Sequence, residues 1–303
     1  MSATTTTKRT EMRQDRPWRT KGGGQVDKPT LAGFFGRYGL LILLLIFAVF
    51  PFVWQLSTSL KSPTEDIYSF PPRLIPEEPT LANYEAVLNT IPVLRYAYHS
   101  LVVGIATVIT NTIFATLAGY ALGTMNFRFK KTIFALFLST LLLPGEVTLT
   151  SQYLTVKSLG AANTLVGVFL PGAIGAINVL LMATACRAIP RDVLDAATMD
   201  GASTLQRIRH IVWPNVRGMV SVVGLFAFIG AWDDFLWPLV VLSDPEKYTL
   251  TVGMQYLQSS ALGASNPRIV AAGTVIALVP IILLFATMQK HFFKGVEEGG
   301  VKG

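Results

Sequence analysis

The chain has 303 residues, of which 51% are apolar and only 14% charged, against about a quarter charged in ordinary soluble domains, which argues against a soluble enzyme built on one globular core. The formal charge is +7, yet the basic residues sit in short gaps between long apolar blocks and not on a folded, water-facing module, which argues against a nucleic-acid partner. A single cysteine, Cys186, excludes an internal disulfide and a multi-cysteine metal site and reads as a small buried hydrophobe.

Residues 1–37 hold Thr4–Thr7, Gly22–Gly24 and scattered charges without apolar periodicity, which predicts a disordered cytoplasmic tail. Apolar stretches then follow at 38–60, 97–121, 132–149, 164–186, 218–242 and 268–289. A helix needs about 20 mostly apolar residues to cross the hydrocarbon layer, and the short alternating segments of a barrel are absent. The expected fold is therefore an all-α bundle of six transmembrane helices. The first stretch is too long for a cleaved signal peptide and reads as a retained span. The loop that follows, 61–96, carries Pro63, Pro71, Pro72, Pro76, Pro79 and Pro92; it is long enough to dock something, and equally serves as a passive connector.

The third stretch is the weakest. Its apolar run ends at Pro144-Gly145-Glu146, so a short helix followed by an interfacial segment is the alternative to a span. Pro51, Pro171, Pro238 and Pro280 lie inside or near the ends of other stretches. Each removes a backbone hydrogen bond and kinks its helix, which suits helices that line a pathway and equally helices that are packed by neighbours.

Basic residues orient the bundle. Eight of the 25 Lys and Arg lie in residues 1–37, three in the Asn126–Lys131 turn, five in residues 187–217 and three from Lys290 onward. The other six, Lys61, Arg73, Arg95, Lys157, Lys247 and Arg268, fall on the opposite side. This places both termini of the multi-pass chain in the cytoplasm. The net charge then serves mainly as an orientation signal.

The loop 187–217 carries its own local code. Pro190 suits a first helical position, and Val193, Leu194 and Ala197 share a face. Gly201 breaks the helix, and Ser203 with Gln206 forms a capping box for a second one. Leu205, Ile208 and Val212 give that second helix an apolar stripe, and Pro214 is expected to end it. Such a pair can lie on lipid. However, Ala196, Ala197, Gly201 and Ala202 offer little apolar area, and Asp192, Asp195 and Asp200 would be repelled by anionic headgroups. Small residues that admit a close backbone, flanked by acids, favour docking a basic protein surface.

The run Asp195-Ala-Ala-Thr-Met-Asp-Gly-Ala-Ser203, followed by Ile211-Val-Trp-Pro214, resembles the Glu-Ala-Ala (EAA) loop of ABC-importer permeases. Asp195 stands where the family has glutamate, keeping the charge with one methylene less reach, and Trp213 where it has leucine. The resemblance extends over nearly all of residues 38–303. It points to the carbohydrate-uptake branch, which includes maltose-type and glycerol-3-phosphate permeases, through Ala231-Trp-Asp-Asp-Phe-Leu-Trp-Pro238 and Tyr248-Thr-Leu-Thr-Val-Gly253. Asp233 replaces the branch's usual asparagine. The resemblance implies the type I importer permease fold and alternating access for a sugar or a related polyol or glycerol-phosphate solute. It implies that the loop is a coupling helix seated on an ATPase, with Asp192, Asp195, Ala196, Ala197, Asp200, Gly201 and Ala202 in the contact. It also implies as partners a homologous second permease, a dimer of ATPase subunits and an extracytoplasmic solute-binding protein, besides the lipid bilayer.

Asp233 and Asp234 are two adjacent carboxylates in an apolar stretch, where charge is costly and faces a bundle interior or water. Neighbours on a helix point about 100° apart, so the two do not chelate alone. Trp232, Asp233 and Trp237, and less strongly Asp234, are candidate pathway residues: aromatic faces stack on sugar rings and carboxylates accept from hydroxyls. The bland alternative is that the acids bond an unwound backbone near Pro238. Asn111 and Asn178 are either pathway residues or helix–helix hydrogen bonds, the latter favoured, and Gln152 is a weaker candidate. His99, His210 and His291 are scattered, so no metal site is expected. No Gly-x-x-x-x-Gly-Lys-(Ser/Thr) loop is present; the chain is expected to bind no cofactor and to be no enzyme, ATP and magnesium belonging to the partner. The rival readings are a proton-coupled secondary transporter using Asp233/Asp234, and an intramembrane enzyme, for which no second catalytic pair is evident.

Overall fold

The computed structural model describes the backbone of residues 31–300 and the side chains of residues 38–287. Helix α1 (Leu31–Leu60) begins inside the segment read as a disordered tail, because a helix already nucleated by a span propagates one hydrogen bond per added residue. The rest of that segment lies outside the described residues. Up to Phe50 the chain forms a unit of its own, in which every described side chain is exposed. A helix apolar all round needs lipid or another chain as its cover.

The second unit, residues 51–303, carries all the other elements. After the end of α1 come α2 (Ala82–Thr90), α3 (Val93–Thr124), α4 (Lys130–Thr140), α5 (Leu149–Ser158), α6 (Leu165–Phe169), α7 (Ala176–Arg187), α8 (Arg191–Met199), α9 (Thr204–Arg207), α10 (Trp213–Asp233), α11 (Leu236–Val241), α12 (Leu250–Ser259), α13 (Ala261–Ser265) and α14 (Pro267–Gly300). Four continuous helices are long and apolar enough to cross a membrane, 38–60, 93–124, 204–233 and 267–287; two bent pairs bring the total to six if each pair is one span.

The bends correct three of the expected spans. The third is α4 followed, across Pro144, by a short 3-10 turn and α5, bent by 103°, so its helix is broken at the proline. The stretch 164–186 is not one helix. It is α6, a 3-10 turn at Pro171–Ala173 and then α7, with extended backbone at Ile174 and Gly175. Pro171 sets that break, and α7 turns by 79° into α8. The stretch 218–242 divides at Asp234, whose backbone is extended, leaving α11 as a separate short helix.

Helix α3 is the centre of the bundle, packed on α7 and α10. Ala115, Gly119 and Gly123 recur every four residues along it, the small-residue spacing that lets membrane helices approach closely. A Cβ on Gly119 would sit 2.6 Å from Met182 Cγ, and one on Gly123 would sit 2.7 Å from Cys186 Cβ. Cys186 is fully buried in this contact. Gly119→Val is therefore expected to force the two helices apart and cost about 2 kcal/mol, read as a lowered melting temperature of the purified protein in detergent; an unchanged melting temperature would refute the contact.

At the end of the bundle remote from loop 187–217, a buried polar knot joins the end of α1 to α2 and α14. The Lys61 side chain is fully buried, with its ammonium 3.5 Å from Glu65. Glu65 accepts from the Glu77 N–H at 3.2 Å. Asn83 donates to the carbonyls of Ser59 and Lys61, 2.9 Å each, capping the end of α1. The Arg268 guanidinium donates to the Glu65 carbonyl.

Candidate functional site

The loop folds as its local chemistry dictates. Pro190 is the residue before α8, one position earlier than expected. Leu194 is buried and packs into the core with Val212 and Val216, whereas Val193 is exposed and does not share that contact. Gly201 has φ +77°, the left-handed conformation that suits glycine. The Ala202 N–H donates to the Ala197 carbonyl at 2.9 Å and the Gly201 N–H to the Thr198 carbonyl at 3.1 Å, which together close a Schellman end on α8. Ser203 and Gln206 form the capping box reciprocally: the Ser203 N–H donates to Gln206 Oε1 at 2.7 Å and the Gln206 N–H to Ser203 Oγ at 3.4 Å.

Two features of this corner lie outside the sequence expectation. Arg207 spans it, donating to the hydroxyls of Thr198 at 2.9 Å and Thr204 at 3.2 Å. Beyond it, Pro214 does not end the helix, contrary to expectation. A π turn over Ile208–Val212 runs straight into α10, with the Trp213 N–H donating five residues back to the Ile208 carbonyl. The wider turn relieves the clash a proline ring makes with the carbonyl four residues earlier. The result is one helix from Thr204 to Asp233. Leu205, expected in the apolar stripe, is exposed. Asp192, Asp195, Ala196, Asp200 and Gly201 are exposed, and Ala197 and Ala202 are half-buried. The corner thus presents small residues and carboxylates outward, on a base anchored by Leu194.

At its far end this helix reaches a cleft of about 320 Å³ between α3, α5, α7, α10 and α11. Asn111, Gln152, Asn178, Asp234 and Trp237 line it together with Thr107. Asn111 is the hub. Its Nδ2 donates to the Gly172 carbonyl at 2.5 Å, and its Oδ1 accepts from the Gly175 N–H at 2.8 Å and from Asn178 Nδ2 at 2.9 Å. A Cβ on Gly175 would meet both asparagine side chains at about 3 Å, so the extended break before α7 needs glycine to let them meet. The helix–helix hydrogen bond read for Asn111 and Asn178 is thus present, and it stands in the wall of the cleft. Gln152 donates to Thr148 Oγ1 at 3.0 Å.

Two polar atoms in this wall are unanswered. Thr107 Oγ1 and Asn178 Oδ1 are buried without a hydrogen-bond partner among the described residues, and buried polar groups are ordinarily paired. Thr107 lies one turn before Asn111 on α3; that four-residue spacing is the signal that would have found it. The Trp237 indole N–H is shared between the Gly167 and Val168 carbonyls at 3.1 and 3.0 Å. Asp234 accepts from the Trp237 N–H at 3.3 Å, and its carbonyl accepts from Thr251 Oγ1 at 2.7 Å. It caps the start of α11 and faces the cleft.

The other two candidates lie elsewhere. Trp232 is buried and stacked on Phe228, ring centroids 5.5 Å apart, in a separate core with Leu250 and Ile269. Asp233 is exposed and does not line the cleft. The two adjacent acids therefore do not act as one facing pair, which removes the geometry that a proton site built on both requires. Among the described residues no three His, Cys, Asp or Glu side chains cluster as metal ligands. The lining contains no Lys, Arg or His. Carboxylate, amide and hydroxyl oxygens beside aromatic faces suit an uncharged ligand rich in hydroxyls.

Comparison with known proteins gives a consistent picture. Residues 29–298 match the family described as "Binding-protein-dependent transport system inner membrane component". The chain is 30% identical over 281 residues to the sulfoquinovosyl glycerol transport system permease protein SmoH of Agrobacterium fabrum, covering 91% of this chain and 98% of that protein. It is 31% identical over 273 residues to the inner membrane ABC transporter permease protein YcjP of Escherichia coli, covering 88% and 96%. A chain of a solved bacterial ABC transporter involved in the import of the acidic polysaccharide alginate superposes with a TM-score of 0.76 at 22% identity, covering 86% of this chain and 96% of that one, which establishes the shared fold.

Proposed function

The chain belongs to the binding-protein-dependent transport system inner membrane components, and from that membership we propose that it forms one side of the pathway of an ATP-driven importer for a neutral sugar or related polyol. It is a transport subunit of the inner membrane and not itself an enzyme. In this reading a second, homologous permease completes the pathway, a solute-binding protein delivers the substrate from outside, and a pair of ATPase subunits grips the loop at 188–214, with both termini on the ATPase side.

The observation that carries the proposal is the unbroken helix from Thr204 to Asp233. It starts beside the Gly201 corner and stops at Asp234 in the wall of the cleft. A displacement of the corner by ATP-driven closure is delivered to the cleft by one rigid element, the kind of physical link that coupling between distant sites requires. The polarity of the cleft supports the substrate class. The unpaired Thr107 and Asn178 oxygens and the Asp234 carboxylate accept hydroxyl hydrogens, while a phosphorylated solute would call for basic groups that the lining lacks. Names of the relatives agree on sugars and their glycosides, arabinooligosaccharides and sulfoquinovosyl glycerol among them, and the neutral character rests on the lining alone.

The test is uptake of radiolabelled neutral sugars by the reconstituted complex with its ATPase and binding protein. Uptake is expected to need ATP and to be insensitive to a proton uncoupler. Asp234→Asn is expected to lower uptake about tenfold, the loss of one charge-assisted hydrogen bond, while the complex still assembles. Uptake that collapses with the uncoupler at constant ATP would defeat the proposal.

A further inference from the structure

Beside the loop, α3, α4, α7, α8 and α9 enclose an open cavity of about 950 Å³ that shares no lining residue with the cleft. Lys130, Lys131, Arg187, Arg191 and Arg207 line it against one acid, Asp195; Asp192 and Asp200, the other two acids of the loop expected to repel an anionic headgroup, do not line it, so the cations outnumber the acid five to one. The ion pairs among the described residues all lie elsewhere. Lys130 donates to the Met125 carbonyl at 2.7 Å, the Arg187 guanidinium lies 4.9 Å over the Phe134 ring, and Arg207 Nε is buried without a partner among the described residues. These contacts orient the cations without neutralising them. Five cations converging on one cavity give it a positive potential that favours an anion there.

The rim identifies the kind of anion. Met125 lines the cavity, and Phe127, Phe129 and Ile133 stand exposed beside it where α3 turns into α4; aromatic and aliphatic side chains at such a level sit among lipid headgroups. A free phosphate has no use for that rim and would fill little of the volume. An anionic phospholipid uses both parts, its phosphodiester on the cations and its acyl chains along Ile133 and Leu136 of α4. We propose that this cavity binds the headgroup of an anionic phospholipid, so that the underside of the loop is lined by lipid. Basic pockets between membrane helices are built for this chemistry.

The experiment uses the assembled importer in nanodiscs of phosphatidylcholine with phosphatidylglycerol, followed by native mass spectrometry of retained lipid. Phosphatidylglycerol is expected to be retained over phosphatidylcholine. Lys131→Gln/Arg187→Gln is expected to reduce that preference about tenfold, and Arg187→Lys to preserve it. Lys131 is exposed, so the single Lys131→Gln variant tests the site without burdening the fold and is expected to lose several-fold. Equal retention by the variants overturns the proposal. So does displacement of the lipid by millimolar inorganic phosphate, which would make this a free-anion site, and so does a preference seen only when the ATPase subunits are absent, which would assign the cavity to an acidic protein surface.

Discussion

Gly201→Val is expected to leave the protein inserted in the membrane and to remove most of its transport. The reason is conformational and not steric, since a Cβ at Gly201 meets nothing within 4 Å. What valine cannot accept is φ +77°, which costs an L-residue about 1–2 kcal/mol and a β-branched one more. A cost of that size depopulates the corner by about 5- to 30-fold. The hydrogen bonds from Gly201 and Ala202 back into α8 go with it, and α8 no longer holds its angle to α9. Gly201 itself is not part of the buried helix contacts around Met182 and Val223, so insertion is retained and the melting temperature falls by only a few degrees. Gly201→Asn is the matched control, because asparagine visits the left-handed region at little cost; it should transport at close to the parental rate. Uptake and ATPase stimulation in proteoliposomes check both variants, and a fully active valine variant would remove the corner from the coupling path.

The contrast between the two ends of the long helix also explains what could be read from the residues alone. The corner was legible because its determinants are local: a glycine where φ is positive, and Ser203 and Gln206 at the three-residue spacing of a reciprocal cap. The apolar stretches were legible for the same reason, since each is a property of a contiguous run. The interruption before α7 was not, because Pro171 is compatible with a kinked but continuous helix, and only the meeting of Asn111 with Gly172 and Gly175 across the bundle fixes an extended break there. The π turn at Ile208–Val212 was illegible because Pro214 ends a helix in most settings, and the packing of Val212 and Val216 decides otherwise here. At Trp232, Asp233 and Asp234 the sequence marks the right place without choosing among neighbours. Three consecutive residues point in three directions, and which one faces the cleft depends on where α10 stops and on the Phe228 stack that turns Trp232 into the core.

Glu65→Ala is expected to be the most damaging change outside the helix contacts, lowering stability by about 3–5 kcal/mol, about 10 °C or more in melting temperature for a chain of this size. The Lys61 ammonium is fully buried and makes no hydrogen bond among the described residues; its counter-charge is Glu65 at 3.5 Å, and the Trp54 ring face lies 5.5 Å away. Removing the carboxylate strands a buried cation and also frees the Glu77 N–H that Glu65 receives. Lys61→Met/Glu65→Gln should recover most of the loss, because it deletes both charges, fills the same volume and keeps an oxygen for Glu77. The exposed pair Arg95–Glu246, also at 3.5 Å, supplies the comparison: Glu246→Ala should move the melting temperature by no more than about 1 kcal/mol would. High salt should leave the difference between the parent and Glu65→Ala intact, since a pair withdrawn from solvent is little screened. The knot ties the end of α1 to α2 through Asn83 and to α14 through Arg268. Glu65→Ala should therefore raise hydrogen exchange across residues 57–90 and at the start of α14, and leave the loop at 187–217 protected as before. Equal loosening at the loop would mean that the two ends of the molecule unfold as one unit and that the buried pair is not a local clasp.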